Sequence, residues 1–265
     1  MNYRLALTNG LRSLLPRSVK QGLKKCLGLP LARIHNDWSI VEPIGRTEDV
    51  HIVIDVGARN GWFSQCWLDW NPQARIHQFE PEPIAAKKLA AKAESSEQIT
   101  FNAVGLGNKE ENLPFYYLTE STVSSSFLQP NEQAWNELRF QHGDIDVSSL
   151  PIMRLDDYCA QQEIQAVRLI KIDVQGFELK ALQGSLETLA KTDYVLVESA
   201  IKPLYHDAAS FTQVHEFMAA QGFHLQTMRA WHRGNHVLME TDMLFRHNRL
   251  AGPVDESIDR IYNQV

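Results

Sequence analysis

From residue 50 onward, short continuous apolar runs alternate with segments whose apolar positions recur every three or four residues. The runs predict strands at HIVIDV (51–56), ARIHQFE (74–80), QITFNAVG (98–105), AVRLIKIDV (166–174), YVLVES (194–199), GFHLQTM (222–228) and DMLFRH (242–247). NLPFYYL (112–118) reads as an edge strand. The helical periods predict helices at WFSQCWLDW (62–70), stopped by Asn71-Pro72, at 84–95 behind Pro83, at LDDYCAQQ (155–162), at 177–190 and at 210–221. Residues 119–150 are polar and irregular and break the alternation, which marks a functional or mobile loop. No internal repeat is present. Strands alternating with helices predict an α/β fold: a mostly parallel sheet with helices on both faces.

The 50–250 region therefore reads as one domain. EPIGRTED (42–49) reads as a linker, 1–49 as a basic arm plus that linker, and 251–265 as a tail. In the arm, Val19, Leu23 and Leu27 fall four apart with Lys20 and Lys24 off the stripe, which predicts short amphipathic helices.

Composition changes this picture little; charge changes it more. The chain has 265 residues, 44% hydrophobic and 22% charged, an ordinary globular balance. Residues 1–36 hold seven Lys and Arg and no acid, whereas the other 229 residues hold 19 bases and 32 acids. An acidic body is unlike a nucleic-acid binder. The arm has three readings: contact with an anionic membrane surface, packing on an acidic body, or a loosely ordered tail. No run is long and apolar enough for a transmembrane helix, and the start is a poor secretory signal. Cys26, Cys66 and Cys159 are widely spaced, which argues against a disulfide framework or zinc site and suits a reducing compartment. The expected placement is cytoplasmic, with a peripheral position at the inner membrane surface if the arm binds lipid.

In open α/β sheets, ligands bind outside the carboxyl ends of the strands. Four predicted strands end at carboxylates: Asp55, Glu80, Asp173 and Glu198. Such convergence is a poor device for stability, because close carboxylates repel. In VIDVGARNGWFS (53–64), Gly57 permits a sharp turn and Gly61 a close approach to the backbone. The spacing G-x-x-x-G is not the G-x-G-x-x-G that seats a pyrophosphate. Asp55 would repel a phosphate but suits a cationic ligand. Glu80 follows Gly61 by 19 residues, matching the acid roughly 20 residues on that binds ribose hydroxyls. A ribose, a cation and no phosphate together describe S-adenosylmethionine.

These stretches, with QFEPEP, NAVGLGNKE, MRLDDY and above all LIKIDVQGFELKALQGS followed by YVLVES, resemble FkbM-type methyltransferases over about residues 50–246. The resemblance implies a Rossmann-like, seven-stranded class I fold whose last strand is antiparallel. It implies S-adenosylmethionine as methyl donor and, as the usual reaction, O-methylation of a sugar, glycan or secondary-metabolite hydroxyl. It places Asp55, Gly57 and Gly61 around the methionine moiety, Glu80 at the ribose and Asn102 near the adenine. Ala58, Asn60, Phe63, Pro81 and Ala103 are further cofactor-binding candidates. Asp173 is the first candidate for the base, since it ends the central strand; Glu178, Glu198 and His206 follow. Two positions depart from the family: Arg59, where Asn is usual, and Gln175, where Glu is usual.

Blander readings stand beside these. Glu178 can serve its helix dipole. Glu198 can partner Lys171. His206 and Ser124–Ser126 suit an ordinary polar loop, and Trp62, Trp67 and Trp70 suit core or helix surface. His232 and His236 flank Gly234 without an acid motif, so no metal site is expected. A non-catalytic methyltransferase-like module, with Arg59 filling the site, is the alternative function. A nicotinamide oxidoreductase lacks its G-x-G-x-x-G.

Overall fold

The computed structural model describes residues 38–137, 143–233 and 237–250. The arm over 1–36, the tail over 251–265 and His236 lie outside the described residues. The described residues from Ile40 onward form one compact unit.

Seven strands form the main sheet, in the order β3-β2-β1-β7-β8-β10-β9. They are β1 (Ile52–Val56), β2 (Arg75–Phe79), β3 (Ile99–Asn102), β7 (Val167–Ile172), β8 (Thr192–Ala200), β9 (Phe223–Arg233) and β10 (Val237–His247). Neighbours from β3 to β8 pair in parallel, and β10 is antiparallel to both β8 and β9. The inner strands are covered on both faces, which is why β1, β7 and β8 read as nearly unbroken apolar text.

The helices follow their local signals. α2 (Trp62–Trp70) starts after Gly61, at φ 74°, and ends at Asn71. In α3 (Pro83–Ala93), the Glu82 side chain accepts from the Ile84 and Ala85 N–H groups and proline opens the first turn. α5 (Leu155–Gln161) precedes β7. α8 (Phe211–Ala220) starts on a capping box between Ser210 and Gln213.

Four sequence expectations need correction. Residues 42–49 are not all linker: α1 (Glu42–Gly45) buries Pro43, Ile44 and Gly45, and Ile40 and Val41 are buried beside it. The 98–105 run splits, and β4 (Gly105–Leu106) joins a second sheet, β4-β6-β5, with β5 (Glu111–Leu118) and β6 (Ile145–Met153). The irregular stretch 119–150 holds the start of β6, a 3-10 turn (Thr122–Ser124) and α4 (Glu132–Glu137). Finally, 177–190 is two helices, α6 (Glu178–Gln183) and α7 (Leu186–Leu189). A Cβ on the intervening Gly184 would collide with the Gly107 carbonyl, so close packing against that loop requires glycine here.

Register brings the site together. Val56 is level with Phe79 and with Ile172, and Ile172 is level with Val197. The next residues, Gly57, Glu80 and Asp173, therefore leave the sheet along one edge, and Glu198, inside β8 opposite Asp242, is level with them.

Candidate active site

The turn after β1 lies against the turn after β7. The Asp173 N–H donates to Val56 O (3.2 Å). A Cβ on Gly57, at φ 74°, would collide with the Asp173 carbonyl oxygen. Glycine here satisfies both the left-handed backbone and the close approach. The Gly57 and Ala58 N–H groups donate to Phe79 O (3.0 and 3.1 Å), which fixes the turn beside β2.

Beneath it sits Lys171, buried, which sequence reasoning noticed only as a partner for Glu198. Its Nζ donates to Val56 O (3.2 Å) and Gly57 O (2.9 Å). It also lies 3.5 Å from Asp55 Oδ1 and 3.6 Å from Asp173 Oδ2. Burial alone would push this ammonium toward neutrality. Asp173, Asp55, Glu198 and Glu80 outweigh that and raise its pKa. The signal was the K-x-D spacing in IKID, which puts both side chains on one face of an extended run.

Asp55 is fully enclosed. Its Oδ2 accepts from Ser64 Oγ (2.7 Å), while Oδ1 has the Lys171 ammonium nearby but no hydrogen-bond donor within bonding geometry. Burial raises its pKa against the pull of Lys171. Asp55 thus underpins the glycine turn rather than lining its surface.

Glu80 caps two backbone groups. Its Oε2 accepts from the Arg59 N–H (2.8 Å) and its Oε1 from the Glu82 N–H (2.9 Å). Burial raises its pKa despite those bonds. A carboxylate oxygen has two lone pairs, so one on each oxygen remains for a pair of hydroxyls. Arg59 stands at φ 50° with an exposed side chain, and its positive charge helps to lower the pKa of Asp173.

The remaining expected cofactor residues divide. Gly61, Asn60 and Pro81 lie in the turns at this edge. Asn60 Oδ1 accepts from the Trp62 N–H (2.9 Å), and its carbonyl accepts from Lys92 (2.7 Å). Asn102 ends β3, its amide donating to Gln78 O (3.1 Å) and to the Tyr158 hydroxyl (3.3 Å), and Ala103 beside it is exposed. Phe63 departs from expectation. Its ring is buried, 5.9 Å from that of Trp67, and belongs to the core.

Beyond Gln175, which contacts Asp173, lies a small cleft bordered by Gln175, Glu178, Glu198, Leu204, Tyr205 and Glu240. Burial opposes ionisation of Asp173. Lys171, hydrogen bonds from Glu198 and Gln175, and Arg59 reverse that and lower its pKa. Glu198 is pushed the other way, well above the carboxylate range, by burial and then by Asp173, Glu240 and Asp242. The two acids are thus pushed in opposite directions, Asp173 toward the carboxylate and Glu198 toward the acid. Burial is the main cause that raises Glu240. Asp242, level with Glu198 across the strands, is neutralised by Arg229 at 2.7 Å.

Glu178 accepts from the Val174 N–H (3.1 Å) and the Gly176 N–H (2.9 Å) and so clamps the turn after β7. Burial raises its pKa to about 7. The serines of the insertion act as tethers: Ser126 Oγ donates to Gln175 O (2.8 Å), and Ser124 O accepts from the Tyr205 hydroxyl (2.5 Å). His206 is exposed, its N–H donating to Gln129 O.

A doubly wound seven-stranded sheet with one antiparallel strand, presenting carboxylates at its strand ends and no phosphate loop, defines a Rossmann-like class I methyltransferase. Residues 55–225 match the methyltransferase FkbM domain, and the chain belongs to the FkbM methyltransferase family. It is an enzyme that uses S-adenosylmethionine. It is 25% identical over 244 residues to the 2-O-methyltransferase NoeI of Sinorhizobium fredii, covering 88% of this chain and 92% of that protein. It is 28% identical over 216 residues to the 31-O-demethyl-FK506 methyltransferase FkbM of Streptomyces tacrolimicus, covering 73% and 76%. Among solved structures, M. capricolum TrmK with bound S-adenosyl-homocysteine aligns with a TM-score of 0.47 at 8% identity, covering 84% of this chain and 74% of that one. The membership sets aside the module and oxidoreductase readings. Among the described residues, no helix is long and apolar enough to cross a membrane.

Proposed function

We propose that the chain O-methylates a hydroxyl of a sugar, glycan or other small molecule, with Asp173 as general base. The observation that carries this is the ionised Asp173 at the end of β7, between the glycine turn and the Gln175 that borders a cleft. Two relatives whose printed names describe O-methyl chemistry support the oxygen acceptor.

The donor set fits S-adenosylmethionine. Free lone pairs on Glu80 suit ribose hydroxyls. Asp55 and Asp173 outnumber the one Lys171 ammonium between them, and the surplus negative charge beneath the turn suits a sulfonium or ammonium. Gly57, Ala58, Asn60 and Gly61 would hold the methionine portion, and Asn102 and Ala103 would border the adenine. When bound, the cofactor supplies a methyl group on a positively charged sulfur.

The protein aligns the acceptor oxygen with that methyl and keeps water out. Asp173 would accept the proton that the acceptor hydroxyl loses, while Gly57, Ala58, Asn60 and Gly61 would hold the methyl donor beside it. Removing such a base costs typically about 10²–10⁴-fold in rate.

The test is calorimetric titration with S-adenosylmethionine, followed by a mass-spectrometric screen of hydroxyl acceptors beginning with simple glycosides. Glu80→Ala is expected to abolish cofactor binding. Asp173→Asn is expected to keep binding and lose turnover by that factor. Near-full turnover of Asp173→Asn would place the base elsewhere.

A further inference from the structure

Gln175 occupies a position that its residue type does not favour. It adopts φ 55°, in the left-handed region, immediately before Gly176 at φ 97°. A non-glycine residue held there is strained, and such strain concentrates at functional sites. Three neighbours hold it in place. Ser126 Oγ donates to its carbonyl (2.8 Å), Glu178 accepts the Gly176 N–H (2.9 Å), and the Tyr205 hydroxyl lies 3.3 Å from its Oε1.

The strained backbone aims one amide at two acids. Gln175 Nε2 donates to Asp173 Oδ1 (3.1 Å) and to Glu198 Oε2 (3.0 Å). An amide nitrogen carries two hydrogens and no charge. It satisfies one oxygen on each acid without adding a proton to the pair or taking one from it.

We propose that Gln175 is a positioning residue that bridges Asp173 and Glu198, giving one hydrogen to each so that the proton acceptor keeps its charge with the second acid held beside it. The proposal rests on the reading of Asp173 as base and goes beyond it by naming what keeps that base ionised inside an acidic cleft. The neighbouring charges come from several elements. Lys171 on β7 and Arg59 after β1 favour the Asp173 carboxylate. Glu240 and Asp242 on β10 disfavour a second charge on Glu198, Arg229 on β9 offsets Asp242, and Glu178 on α6 closes the cleft. Gln175 is the uncharged member that touches both acids, so its replacement changes their hold on protons without changing the total fixed charge.

The experiment is a carboxyl 13C NMR titration of the full chain labelled at Asp and Glu, with Asp173→Asn and Glu198→Gln assigning the two signals. No acceptor is needed, so the outcome is separate from whether methyl transfer is found. In the wild type, Asp173 should titrate below the ordinary carboxylate range and Glu198 above it. Gln175→Gly accepts the left-handed backbone and removes both donors. Both midpoints should move up, because each acid loses a donor. Gln175→Met keeps the length of the side chain, removes both donors and should shift the midpoints the same way. Midpoints unmoved by these substitutions would overturn the proposal. Should the glycine variant fail to fold, the methionine variant decides the question.

Discussion

Lys171 shows how one residue can set a whole site. It is the buried cation between Asp55 and Asp173, and removing it strands the fully enclosed Asp55 carboxylate and unpairs the half-buried Asp173. Breaking such a pair from one side typically costs about 3–5 kcal/mol. Lys171→Met is therefore expected to lower stability by that amount in urea denaturation, and Lys171→Met with Asp55→Asn to recover part of it. Glu178 makes a pH-dependent contribution. Its folded pKa of about 7 lies above the reference 4.5, so the folded state binds its proton more tightly than the unfolded chain does. That stability is fully present below the unfolded value and is lost as pH rises through about 7, a total of roughly 3 kcal/mol at most. Glu178→Gln should flatten the stability profile over that window, as followed by thermal melts at successive pH values. A slope as steep as that of the wild type would show the titrating group to be another. The four strand-end acids were legible because sheet ends are where ligands bind. Lys171 and Gln175 were not given their roles, since their importance lies in contacts across turns that no periodicity encodes.

At the scale of elements, continuous apolar strands and capped helices were readable and the second sheet was not. β6 runs IDVSSLPIM with mostly exposed side chains and a proline inside, so neither alternation nor propensity announces it. β5 anchors it by pairing with it along its whole length. The 177–190 helix was read as continuous because Gly184 alone is a weak breaker, and its reason is steric and distant in sequence. The insertion is fastened to the loop after β8. Trp135 in α4 donates from its indole to Leu204 O (2.8 Å) and packs by Tyr205. Trp135→Ala should cost about 3–5 kcal/mol and raise amide exchange in 119–137 and 201–209 together. Exchange rising in only one segment would show that they are not a coupled unit.

For the molecule as a whole, the charge break at residue 36 and the start of the compact unit at Ile40 nearly coincide. Every residue assigned to the site lies after that point. A chain beginning at residue 37 is expected to fold and to bind S-adenosylmethionine with the affinity of the full chain, measured by the same calorimetry. Weaker binding would bring the arm into the site. Sedimentation of both chains with anionic vesicles at two salt concentrations separates the lipid reading of the arm from the others.

The order β8-β10-β9 also bears on how the protein is made. The last strand of the sheet to leave the ribosome, β10, is not the outermost one; it slots between two strands that precede it. Until it emerges, β9 has no partner in the sheet and β8 presents a bare hydrogen-bonding edge. At ~5–20 residues per second, that interval lasts on the order of seconds. Glu240 and Asp242 arrive on the same strand. A chain stalled before residue 237 thus carries an open, adhesive sheet edge and a cleft without Glu240, so solubility and a complete cleft wait on the same strand.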